Sequence, residues 1–147
     1  MRKDDIKINR ANSSLVIKLK PAVTKKIVLN SNFEIVVFLE NNINTTITGI
    51  TVIPGNLIIT DIFEERETSK AIEEIKTFTL KTFSEESQKL KVNHRFSIHA
   101  LFEANQLGIQ PLTLKIKYRD LNPLTYDRED IIVKIEDLPG GIVEVIS

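Results

Sequence analysis

Catalysis needs side chains that can carry a proton, a metal or a covalent intermediate, and this chain offers few of them. It has two histidines, His94 and His99, and no cysteine. Thiolate chemistry, disulfides and Cys-ligated zinc are therefore excluded. The two histidines lie five residues apart on one extended run, so a regular strand points them to opposite faces and cannot aim both at one metal. No G-x-S-x-G elbow presents a nucleophilic serine. Of the 5 glycines, only Gly140 and Gly141 are adjacent. They follow a turn proline rather than opening a helix, which is not the geometry of a phosphate cradle. These residues predict a chain that is not an enzyme, with no catalytic residue, no cofactor and no metal.

Two acidic clusters remain, Asp61/Glu64/Glu65/Glu67 and Asp120/Asp127/Glu129/Asp130. The second lies beside a strong strand, where loop carboxylates can hold Ca²⁺. It lacks an EF-hand-like spacing, so a solvated hairpin tip is the favoured reading and a calcium site the alternative. Lys115, Lys117 and Arg119 form a basic stripe on the same strand. Nucleic-acid readers on sheets interleave such charges with exposed aromatics, but Tyr118 has the opposite parity. The stripe reads as a wet outer face that deters edge pairing. Asn12-Ser13-Ser14 and Asn44-Thr45-Thr46 match the glycosylation acceptor pattern, which matters only in a secreted chain.

The elements behind these residues are strands. Counting Ile, Val, Thr, Phe and Tyr gives 53 of 147 residues, with no Trp. β-branched and aromatic side chains favour a pleated sheet. In LTLKIKYRD (112–120), Leu112, Leu114, Ile116 and Tyr118 share one parity and the polar residues the other. That alternation predicts a strand with one buried face. Leu15, Ile17 and Leu19 alternate likewise before Pro21, and Val23–Leu29 is a weaker strand. FEIVVFLE (33–40) is apolar on both faces, since Val36 and Phe38 oppose Phe33, Ile35, Val37 and Leu39. It predicts a central strand, or one whose outer face is a contact site. Thr48–Val52 carries Gly49 as a candidate bulge, and Pro54-Gly55-Asn56 is a turn.

Residues 64–76 are ambiguous. Ala71, Ile72 and Ile75 have helical spacing, so a short helix and a charged loop both fit, leading into a strand over 77–83. SEESQK (84–89) is a loop, followed by strands at 90–92 and 95–102. Residues 121–129 make a hairpin loop before the strand Ile131–Glu136. Leu138-Pro139-Gly140-Gly141 is a turn ahead of a short terminal strand, IVEVI (142–146). Eight to ten short strands with at most one short helix predict an all-β, antiparallel immunoglobulin-like β-sandwich. The length fits one domain over 1–147, with 1–13 open to two readings, a flexible lead or an edge strand.

Residues 96–137 also resemble a known family. FSIHALFEA (96–104), a loop with Gly108, LTLKIKYRD, a turn region with Tyr126, then DIIVKIED (130–137) is similar to the C-terminal half of sandwich domains of the CARDB, or cell-adhesion-related, type. FEIVVFLENN, with Asn41 and Asn42, fits the front half, so the resemblance spans roughly 33–137. It departs where Leu121-Asn122-Pro123-Leu124 replaces a glycine turn, and in the extra strand beyond 137. The antibody Cys…Trp…Cys core is absent. The resemblance implies a binding or spacer module and carries over no site residue.

Formal net charge is zero, with +4 over residues 1–60 and −4 over 61–147. A neutral chain lacks the basic footprint of a nucleic-acid binder. No signal peptide or apolar span follows the charged start, so membrane insertion is not expected. The chain is expected in the cytoplasm if Met1 is its native start, and outside the cell if it is an excised domain. The functional expectation is a protein-interaction or assembly module that meets a protein partner or a second copy. It would act through the sheet face at Val36 and Phe38, or by edge pairing of Ile142, Val143, Val145 and Ile146. A carbohydrate-binding module presenting Tyr126 and a structural spacer of a larger surface protein are the alternatives.

Overall fold

The computed structural model describes residues 15–41, 46–85, 88–121 and 125–147. The expected lead at 1–13, both glycosylation patterns, Asn42 and the 122–124 turn fall wholly or partly outside them.

The apolar parities seen in the sequence sort into two layers around one core. The first sheet has the order β1 (Leu15–Lys20), β3 (Asn32–Asn41), β8 (His94–Glu103), β5 (Ile58–Glu67), β6 (Ile72–Phe78). The second has the order β11 (Arg128–Lys134), β10 (Lys115–Leu121), β4 (Ile47–Ile53), β7 (Gln88–Leu90). Every pairing in both is antiparallel. Leu19, Ile35, Val37, Leu39, Ile98 and Ile62 face inward from the first sheet, and Ile50, Leu90, Ile116 and Tyr118 from the second. In chain order, β1, β3, β4, β5, β8, β10 and β11 occupy the places of strands A to G in an immunoglobulin-like sandwich. The expected fold class therefore holds, with twelve strands among the described residues rather than eight to ten.

A small third sheet completes the fold. β12 (Ile142–Ile146) lies between β2 (Lys25–Val28), parallel to it, and β9 (Gly108–Pro111), antiparallel to it. Ile27, Val143 and Val145 send its inner side into the core.

Four local expectations need correction. The 64–76 segment is neither helix nor loop but the β5–β6 hairpin. Thr68 closes it by hydrogen-bonding the Ala71 carbonyl through both its backbone N–H and its hydroxyl. The helical spacing misled because Ile72 and Ile75 are exposed on an edge strand and were never a buried stripe. The helix is α1 (Leu80–Glu85), where a strand was expected. Thr79 caps it, its hydroxyl oxygen accepting the Thr82 N–H at 3.2 Å. Phe83 then enters the core edge-on to Phe78 and Phe96. Thirdly, 112–120 is not one continuous strand. The Pro54–Asn56 turn docks into its start, with Asn56 bonding Thr113 N–H, the Thr113 hydroxyl and the Pro111 carbonyl. Asn56 thereby replaces strand partners at the break. Lastly, the strand expected at Ile131–Glu136 begins earlier and gives way to a 3₁₀ turn over Ile135–Asp137.

Other local readings hold. Gly49 has φ +70 where the β4–β10 register shifts, which is the bulge its position suggested. Gly140 has φ +87 in the Leu138–Gly141 turn, as a type II turn requires.

Candidate interaction surfaces

Strand parity decides which side chains reach water. Val36 and Phe38 lie on the outer face of the five-stranded sheet, half-buried, with a strand on either side. Phe38 faces Lys18 across one edge and Ser97 across the other. The Arg95 guanidinium sits 4.6 Å from the Phe38 ring centre. Glu65 accepts from Arg95 Nε at 2.9 Å and from the Ser97 hydroxyl. Phe63 meets the His99 ring edge-on at 5.1 Å. This face is thus partly roofed by its own cations and polar groups, which pack on the rings.

The terminal strand has a different setting. β12 has hydrogen-bonded neighbours on both sides, so it is not a free edge. Edge pairing through Ile142–Ile146 is corrected on that ground: the backbone groups are already used within the chain. Val143 and Val145 are core residues. Ile142 and Ile146 point the other way and are exposed. On the same outer face, Val28 of β2 is in register with Ile146, and Ile109 of β9 stands opposite Glu144, diagonal to both isoleucines. Ile109 is 64% exposed. Lys26 and Glu144 lie between these aliphatics, and Leu107 is exposed just before β9. The sequence showed Ile142 and Ile146 but could not show their neighbours, because the pairing joins residues far apart in the chain.

Among the described residues the two histidines lie apart from each other, and so do the two acidic clusters. His94 Nδ1 lies 2.7 Å from Glu64 Oε2, while His99 lies on the opposite face, 3.7 Å from Glu34. The acidic cluster near residue 120 is split by parity. Asp120 is buried, whereas Asp130 pairs with Lys117 and Arg119 on the outer face. Among the described residues no three carboxyl or imidazole groups come together to hold a metal ion. Tyr126 is 80% exposed, but Tyr118 is buried, so the two tyrosines do not form an aromatic platform. No helix among the described residues is long and apolar enough to cross a membrane.

No family model matches the sequence, and no curated protein matches it. Among solved structures, the chain is similar to the ASH/PapD-like domain of human CEP192 (PapD-like domain 7). The two share 11% identity at a TM-score of 0.39, covering 91% of this chain and 86% of that one.

Proposed function

We propose that this chain is a non-catalytic protein-interaction module, and that the outer face of its three-stranded sheet is the contact surface. One observation carries this reading: Val28, Ile109, Ile142 and Ile146 are all exposed on one sheet face, grouped around Lys26 and Glu144. Scattered exposed aliphatics are ordinary, but four gathered on one small sheet face point to a docking site. Three strands about 4.8 Å apart, two of four residues and one of five, give a face of roughly 200 Å². A stable interface buries about 800 Å² on each partner. The aliphatic face is therefore the centre of a contact whose rim extends beyond it, with Lys26 and Glu144 giving polar registration. Val36 and Phe38 form a secondary surface, already partly covered by Arg95. The CARDB resemblance supports the same class of role, since such domains bind or space rather than catalyse.

A photocrosslinking residue placed at position 109 tests the assignment. It is expected to yield one dominant protein adduct in native cells, while the same residue at position 72, on the exposed edge strand β6, gives none. Equal adduct patterns at the two positions would sink it.

A further inference from the structure

A second surface, on another sheet, has the opposite character. The outer face of the β11–β10–β4–β7 sheet gathers Lys115, Lys117 and Arg119 from β10, Arg128 and Lys134 from β11, and Lys89 from β7. Among the described strand residues of this face, Asp130 is the one carboxylate. Lys115 and Lys134 stand directly opposite each other across the β10–β11 ladder. Directly opposed like charges oppose pairing, so the fold tolerates this arrangement rather than gaining from it.

The bulge gives this face a concavity. At Gly49 two residues of β4 oppose one of β10, and the glycine contributes no side chain of its own. The Arg119 stem lies across the gap, 3.1 Å from where a Gly49 Cβ would sit. The result is an open groove of about 420 Å³. Thr48, Gly49, Thr51, Lys89, Lys117 and Arg119 line it, with Asp130 at its side. Asp130 holds both neighbouring cations loosely, at 3.6 Å from Lys117 Nζ and 3.4 Å from Arg119 Nε.

We infer that this groove binds a phosphoryl group carried on a protein segment. Three cations and one carboxylate leave the groove with two positive charges, and a phosphomonoester carries between about −1.5 and −2 near neutral pH. A planar guanidinium pairs two phosphate oxygens at once, ammonium groups act as point charges, and the threonine hydroxyls add donors. Asp130 occupies the position of an internal competitor, since the incoming anion takes over its cations. Ile53 and Ile132 are exposed on the same face, in register with Lys115 and Lys117, and offer apolar contact to the flanking peptide. No aromatic ring stands among the described strand residues of this face, so single-stranded nucleic acid lacks a stacking platform there. The inference is independent of the aliphatic face and of whatever binds it.

The test is a titration of the isotope-labelled chain, followed by backbone amide shifts, with a capped phosphothreonine peptide as probe. Saturable shifts are expected at Thr48, Gly49, Thr51, Lys89 and Lys117. Lys117→Gln and Lys89→Gln are each expected to weaken binding about tenfold, the effect of losing one charge-assisted hydrogen bond. Asp130→Asn is expected to tighten it, an outcome that a merely structural role for Asp130 would not give. Unphosphorylated peptide and a glutamate-substituted peptide are expected to produce no saturable shift. Absence of groove shifts would overturn the proposal, as would equal response to the glutamate peptide. Tighter groove binding by an oligoribonucleotide or by phosphatidylserine vesicles would also overturn it, assigning the groove to nucleic acid or to lipid. If Asp130→Asn does not fold, the two lysine variants decide.

Discussion

Phe83 shows how much can rest on one side chain outside the strands. It is fully buried, and its ring meets Phe78 at 5.5 Å and Phe96 at 5.2 Å, both edge-on. Such geometry aligns ring edges with ring faces and adds to the area buried. Phe83→Ala is expected to cost about 3–5 kcal/mol, read as a lower urea midpoint at unchanged slope. A loss below about 1 kcal/mol would mean that α1 is not docked as described. Gly55 is a backbone case of the same kind. Its φ is +59, and a Cβ there would overlap the Thr113 carbonyl. Gly55→Ala is expected to destabilise by more than the ~1 kcal/mol of an ordinary glycine replacement. By contrast, the exposed Arg66–Glu73 pair, at 2.8 Å, is expected to contribute at most about 1 kcal/mol.

At the level of elements, the strands were legible wherever one face was buried and one wet. β1 and the second half of 112–120 showed in the alternation of their residues, and β3 showed instead as a run apolar on both faces. What did not show was set by contacts between distant residues. The 112–120 run breaks because Asn56, over fifty residues earlier, bonds Thr113 and Pro111. Asn56→Ala is expected to destabilise by about 1–3 kcal/mol, through unpaired groups at the break, in chemical denaturation. The helix was misread as strand because its only local signal was the Thr79 cap, in a run rich in Thr and Phe. Thr79→Ala is expected to cost about 0.5–2 kcal/mol, and no change would deny the capping role. Likewise, IVEVI reads as a free terminal strand in isolation. Its two neighbours, β2 and β9, come from more than thirty residues away. Half of the residues nominated there, Val143 and Val145, are core, and the other half are surface.

For the whole molecule, the fold sorts charge and apolar surface by face rather than by position along the chain. Residues 61–147 are net acidic, yet they supply every cation of the basic groove. The aliphatic face likewise draws Val28, Ile109 and Ile146 from three separate strands. Each surface has only a partial linear signature, the Lys115/Lys117/Arg119 stripe in one and Ile142/Ile146 in the other, which is why composition and periodicity found the sandwich but only parts of its surfaces. The two faces have different chemistry, so on the two proposals above a single chain would hold two partners, or one partner at two places. The most direct measurement of this account is quantitative protein capture by the folded chain and by Ile109→Glu/Ile146→Glu. Ile72→Glu/Ile75→Glu on β6 is the control, and circular dichroism establishes that each variant is folded. The account predicts that proteins held by the wild type and by the β6 variant are lost from the three-stranded-sheet variant. Retention of the same proteins by all three would contradict it.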